Sequence, residues 1–141
     1  MSGALLDVNV LVALAWPNHV HHGVAADWFG GQRALGWATC SITQLGFMRV
    51  SAHVGMTPHA VEPAEAAEVL VRLLELGDHH FLADASQPAD ADWRFAATHR
   101  SITDLHLARL ARDHGCVLAT LDRGIAALTP VPAAVRCILD G

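Results

Sequence analysis

The stretch Leu5-Leu6-Asp7-Val8-Asn9-Val10-Leu11-Val12 decides how the chain is read. A short apolar segment, Ala4-Leu5-Leu6, ends in the carboxylate Asp7, and Asn9 to Trp16 then has the apolar spacing of a helix, stopped by Pro17. A buried strand that runs straight into a helix opens an α/β unit. A carboxylate placed directly after such a strand is costly to bury unless it has a partner. Asp7 is therefore the first candidate for chemistry.

Outward from that start, strands and helices alternate. Val20 to Phe29 is expected to be a helix closed by Gly30-Gly31, and Ala34 to Ala38 a second strand. Ser41 or Thr43 can cap a helix through Leu45, Met48 and Val50. Glu62 to Leu76 has the clearest helical pattern, with Pro63 in its first turn, Val69, Leu70, Leu73, Leu74 and Leu76 on one face, and Gly77 after it. His80 to Ala83 reads as a short strand, and a helix starting at Asp90 or Asp92 is expected to run through Trp93 and Ala97. Asp104 to His114 forms a helix ended by Gly115. Cys116 to Thr120 is a buried strand, Gly124 to Leu128 a short helix, and Val135 to Leu139 a last strand. This order predicts an α/β fold with a mainly parallel sheet and helices on both faces, in one domain over residues 1–141.

Composition narrows the function. The 141 residues are 52% hydrophobic and 16% charged, enough apolar material for one core. All nine basic residues are arginine. Without a lysine there is no P-loop on nucleotide phosphates and no Schiff-base chemistry. Three scattered cysteines make neither a disulfide framework nor a Cys-x-x-Cys metal clip, so a reducing, cytoplasmic setting is expected. No basic leader opens the chain, and no apolar run approaches the roughly 20 residues of a membrane span. The formal charge of −5 does not advertise a nucleic-acid binder, although ten histidines make its sign depend on pH.

In open parallel sheets, ligands bind beyond the carboxyl ends of the strands. Asp7 ends the first strand, Asp122 lies just past Cys116 to Thr120, and Asp104 opens a helix. Carboxylates gathered at one edge repel and call for a counter-charge, and Mg²⁺ or Mn²⁺ suits oxygen ligands. Each acid also has a plainer reading. Asp104 can cap its helix, and Asp122 in Leu121-Asp122-Arg123-Gly124 can be a turn residue. His19-Val20-His21-His22 and His79-His80 read as exposed polar stretches, since no second cluster stands at a ligand spacing. His99 and His106 flank Asp104, with a structural role expected.

Three segments together resemble a PIN-domain ribonuclease of the VapC-type toxin branch, found in bacterial toxin–antitoxin pairs. They are the opening Leu5 to Val12, Thr103-Asp104-Leu105-His106-Leu107-Ala108, and Leu118-Ala119-Thr120-Leu121-Asp122-Arg123, in the family's order and spacing. The resemblance implies a three-layer α/β/α fold and a Mg²⁺- or Mn²⁺-dependent endoribonuclease that leaves a 5′-phosphate and a 3′-hydroxyl. It implies that Asp7, Asp104 and Asp122 hold the metal and that Asn9 and Thr120 orient these carboxylates. It also implies a homodimer and a small antitoxin that lays a helix or arm in an apolar groove and places a basic side chain in the acidic site.

One position departs from the family pattern. In Thr43-Gln44-Leu45-Gly46-Phe47-Met48-Arg49-Val50, Gln44 stands where the family has an acid. A neutral carbonyl oxygen in that place implies weaker metal affinity, one metal rather than two, and a preference for Mn²⁺. It also keeps open a PIN domain that binds RNA or antitoxin without cleaving. Arg49, Arg100 and Arg123 lie near the motifs as candidate phosphate contacts, with Arg123 foremost. Solvated surface charges or partners of the acids are the plainer reading, and the preferred one for Arg109 and Arg112. A haloacid-dehalogenase reading of Asp7-Val8-Asn9 fails for want of a second acid at Asn9 and of a lysine.

Overall fold

A computed structural model describes residues 2–53, 60–94, 96, 98, 99, 101–128 and 134–140. The elements run β1 (Ala4–Leu6), α1 (Val8–Ala15), α2 (His22–Gln32), β2 (Trp37–Thr39), α3 (Ser41–Ala52), α4 (Pro63–Leu74), β3 (His79–Phe81), α5 (Ser101–Asp113), β4 (Val117–Thr120), α6 (Arg123–Leu128) and β5 (Val135–Cys137). The strands form one sheet in the order β3-β2-β1-β4-β5, and every pairing is parallel.

Side-chain alternation along the strands sorts the core into two layers. Ala4 and Leu6 of β1, Trp37 of β2 and Ala119 of β4 pack with Leu11, Phe29, Phe47 and Leu73 from helices α1 to α4. Leu5, Ala38, Leu118 and Val135 face the other way, against Leu107, Leu110 and Ala111 of α5 and Ile125 of α6. The expected three-layer arrangement is therefore present, with both faces of a short parallel sheet covered.

Local differences from the sequence reading have simple causes. Helix α2 does not close at Gly30-Gly31 but continues to Gln32, because both glycines are exposed and Arg33 N still donates to Phe29 O at 2.8 Å. Strand β2 is shifted toward the carboxyl side, to Trp37–Thr39. Cys40, rather than Ser41 or Thr43, is the N-cap of α3. The Thr43 hydroxyl accepts from Cys40 N at 3.0 Å, closing the first turn from inside the helix. No helix starts at Asp90 or Asp92. Pro88–Asp90 is a single 3-10 turn and 91–94 are irregular, while Ala97 lies outside the described residues. The last strand stops at Cys137 and continues as a 3-10 turn, Ile138–Asp140. Gly77 takes φ +62 between α4 and β3, and a Cβ there would lie 2.5 Å from Arg33 O.

Candidate active site

Parallel pairing puts the carboxyl ends of all five strands on one edge. Leu6 pairs with Ala119, and Asp7 N donates to Ala119 O at 2.9 Å, so Asp7 and the Thr120–Asp122 segment leave the sheet side by side. Asp7 is also the N-cap of α1. Its Oδ1 accepts from Val8 N at 2.8 Å, while Oδ2 accepts from the Thr120 hydroxyl at 2.9 Å. The carboxylate is 6% exposed yet has a donor on each oxygen. That pairing is what makes an acid tolerable at the end of a buried strand.

Thr120, fully buried, ties the corner together. Its Oγ1 accepts from Asn9 Nδ2 at 3.2 Å and from Asp122 N at 3.1 Å as it donates to Asp7. Asn9 closes the circuit, because its Oδ1 accepts from Leu121 N at 3.1 Å. The exposed Asp122 accepts from Gly124 N at 2.8 Å through Oδ1, in the turn that starts α6. The turn reading of Asp122 is thus correct, and it coexists with a place at the shared edge.

Asp104 does not open its helix. It is the fourth residue of α5, in the first turn and half-buried. Burial, and then the charges of Asp7 and Asp122, push its carboxyl up to about 6. Asp7 is pushed up as well, by burial first and by Asp122 last, against the lowering effects of Thr120 and Val8. Three acids remote in sequence therefore share one electrostatic neighbourhood.

Among the described residues, no group of three or more His, Cys, Asp or Glu is gathered closely enough to enclose an ion by itself. The donor set still fits a hard cation. Mg²⁺ is commonly held by one or two carboxylates with waters completing its shell, and mutually repelling carboxylates gain from a positive charge between them. Asp7, Asp104 and Asp122 are the residues that could hold it.

Gln44 lies in the first turn of α3, at the end of the neighbouring strand, and its Nε2 donates to Thr39 Oγ1 at 3.0 Å. The arginines are placed differently from one another. Arg123 is exposed and donates to Asp140 at 2.8 Å, an acid not among the motif aspartates. Arg49 is exposed in the last turn of α3, well along the helix from Gln44. Arg100 lies outside the described residues. Arg109 sits 4.9 Å over the Trp93 ring and donates to Asp92 O, and Arg112 pairs with Asp113 at 3.2 Å.

Sequence reasoning missed Asp84. It accepts from Ser86 N at 3.1 Å and Ser86 Oγ at 2.7 Å, and its Oδ2 meets Nε2 of the buried His106. Burial pushes the Asp84 carboxyl up, but Ser86 and His106 outweigh it and leave it below its ordinary value. The pair anchors α5, and with it Asp104, to the loop after β3. Only the Asp-x-Ser turn pattern was visible in the sequence.

The PIN domain family model matches residues 4–129. The chain belongs to the PIN-domain family. Within it, the chain resembles Ribonuclease VapC38 of Mycobacterium tuberculosis, at 48% identity over 86% of each chain. It resembles Ribonuclease VapC39 of the same species at 41% identity, over 87% of this chain and 91% of that one. The VapC branch expected from the three motifs is thereby confirmed. A crystal structure of PAE2754 from Pyrobaculum aerophilum has the same fold, with TM-score 0.55 and 21% identity over 95% of this chain and 83% of that one. The span matched by the family model includes the hydrogen-bonded corner Asp7–Thr120–Asn9 and Asp104 of α5. No helix among the described residues is long and apolar enough to cross a membrane, and the buried Cys40, Cys116 and Cys137 form no disulfide.

Proposed function

We propose that this PIN-domain protein is a metal-dependent endoribonuclease toxin of the VapC type. Residues 1–141 would act as one PIN-like unit whose activity a cognate antitoxin holds in check. The observation that carries the reading is the buried Asp7 carboxylate, held by Thr120 and sharing its field with Asp104 and Asp122. The names of the VapC relatives support the same activity.

In this reading Asp7, Asp104 and Asp122 hold Mg²⁺ or Mn²⁺, with Gln44 offering a neutral oxygen. The bound cation supplies an activated water and neutralises charge on the phosphodiester. The chain's own groups do the rest. Thr120 and Val8 N fix both oxygens of Asp7, which limits the ways the carboxylate can turn. Asn9 holds the backbone of Leu121, and hence the approach of Asp122. Cleavage leaves a 5′-phosphate and a 3′-hydroxyl.

RNA reaches this acidic edge through arginines. Arg49 is open to a phosphate, Arg123 would exchange Asp140 for one, and Arg100 completes the set. A homodimer and a basic antitoxin side chain entering the carboxylates complete the proposal. One observation favours a second reading. Gln44 removes a negative charge from the site, so the domain would bind RNA or antitoxin without cutting. Gln44→Glu separates the two: a large gain in cleavage marks the native site as impaired, and little change shows that the amide suffices.

A further inference from the structure

We infer that His79 is a positioning residue: by accepting a hydrogen bond from the Thr39 hydroxyl it fixes the Gln44 amide so that the carbonyl oxygen, not the NH₂ group, is left to face the carboxylate edge. The inference rests on the reading of Gln44 as the fourth residue of the metal site.

The geometry is a short chain of polar contacts across three elements. Trp37 and Thr39 lie two residues apart on β2 and so point to one face, and Trp37 pairs with His79 of β3. The His79 ring lies 4.7 Å from the Trp37 ring, which is itself fully buried and anchored by Nε1 donating to Leu76 O at 2.7 Å. This holds His79 Nε2 at 2.8 Å from Thr39 Oγ1. On the other side of the same hydroxyl, Gln44 lies at 3.0 Å.

Thr39 is fully buried, so the single proton of its hydroxyl has two claimants. If it goes to His79, the oxygen can only accept from Gln44, which then turns its NH₂ inward and leaves Oε1 outward. If His79 donated instead, the Thr39 hydroxyl would donate its hydrogen bond to Oε1 of Gln44. The amide would then flip and present hydrogen atoms to the acids. Burial and the neighbouring His80 both push the His79 imidazole below its ordinary range, which favours the neutral ring. A neutral ring has one nitrogen free to accept. An amide can serve a cation through its oxygen alone, so its orientation matters here as it would not for the two equivalent oxygens of a glutamate.

The experiment measures Mn²⁺ affinity by calorimetry on the full chain, with thermal unfolding as a folding control. His79→Phe keeps a ring against Trp37 and removes the acceptor; the expected loss of affinity is about tenfold. Thr39→Val is expected to do the same and serves if His79→Phe does not fold. In a Gln44→Glu background, His79→Phe is expected to cost nothing further. Undiminished affinity in His79→Phe overturns the inference, and so does an equal loss in the Gln44→Glu background, which marks a merely structural histidine. Asp7→Asn separates the two levels. If it abolishes Mn²⁺ binding while His79→Phe has no effect, only the positioning role fails. If it leaves binding intact, the site reading and the inference fall together.

Discussion

The Thr120 hydroxyl donates to Asp7 Oδ2 at 2.9 Å across 113 positions of sequence, joining the end of β4 to the end of β1. Because the same oxygen accepts from Asn9 and from Asp122 N, one buried threonine sets the position of an acid, an amide and a turn.

Thr120→Val therefore removes three hydrogen bonds with almost no change in volume. The Asp7 carboxylate loses a donor that lowers its pKa, and the Asp122 N–H loses its acceptor. A stability loss of about 1–3 kcal/mol is expected from groups left unsatisfied, together with a 10- to 100-fold loss of metal affinity through a misplaced ligand. Denaturant unfolding and Mn²⁺ titration check both. Unchanged affinity would mean that Thr120 only packs.

Asp104 gives a pH signature in metal-free protein. Its folded pKa of about 6 lies above its ordinary 3.8, so between these values the folded state binds more protons than the unfolded one. Its contribution to stability is then lost as pH rises through about 6. His19 and His79, both pushed down, act in the opposite sense. The quantity to measure is the gain in Tm of Asp104→Asn over wild type in EDTA. The gain should be larger at about pH 7.5 than at about pH 5. An equal gain at both would refute the raised carboxyl.

Much of this site was legible because its determinants are local. An apolar triplet ending in Asp7, and Thr120 two residues before Asp122, are short patterns that strands and turns impose directly. What escaped depends on partners far along the chain. The hold of Asp140 on Arg123 and of Asp84 on His106 spans 17 and 22 positions, with no spacing rule to announce it. The helix expected through Trp93 failed for a related reason. Trp93 is held by Pro88 O and by the Arg109 guanidinium, contacts that favour an irregular loop over a helical turn. Gly30-Gly31 misled because glycine often ends a helix but does not have to.

At Gly46, α3, which carries Gln44, packs tightly against Val8 at the start of α1. A Cβ on Gly46 would lie 2.5 Å from Val8 Cγ2, and valine is stiff about its first side-chain bond. Gly46→Ala gains about 1 kcal/mol of helix propensity. Overpacking costs about 1–3 kcal/mol, so a net loss is expected. Val8→Ala should relieve it, which a double-mutant unfolding cycle would reveal as favourable coupling. Additive effects would place the strain elsewhere.

The most direct test of the central claim is incubation of purified, partner-free protein with total and structured RNA in Mg²⁺, Mn²⁺ or EDTA, beside Asp7→Asn. Discrete cuts that require the cation, carry 5′-phosphates and vanish in Asp7→Asn are the predicted result. Cleavage that persists in EDTA or in Asp7→Asn would contradict the account, and so would intact RNA with every cation.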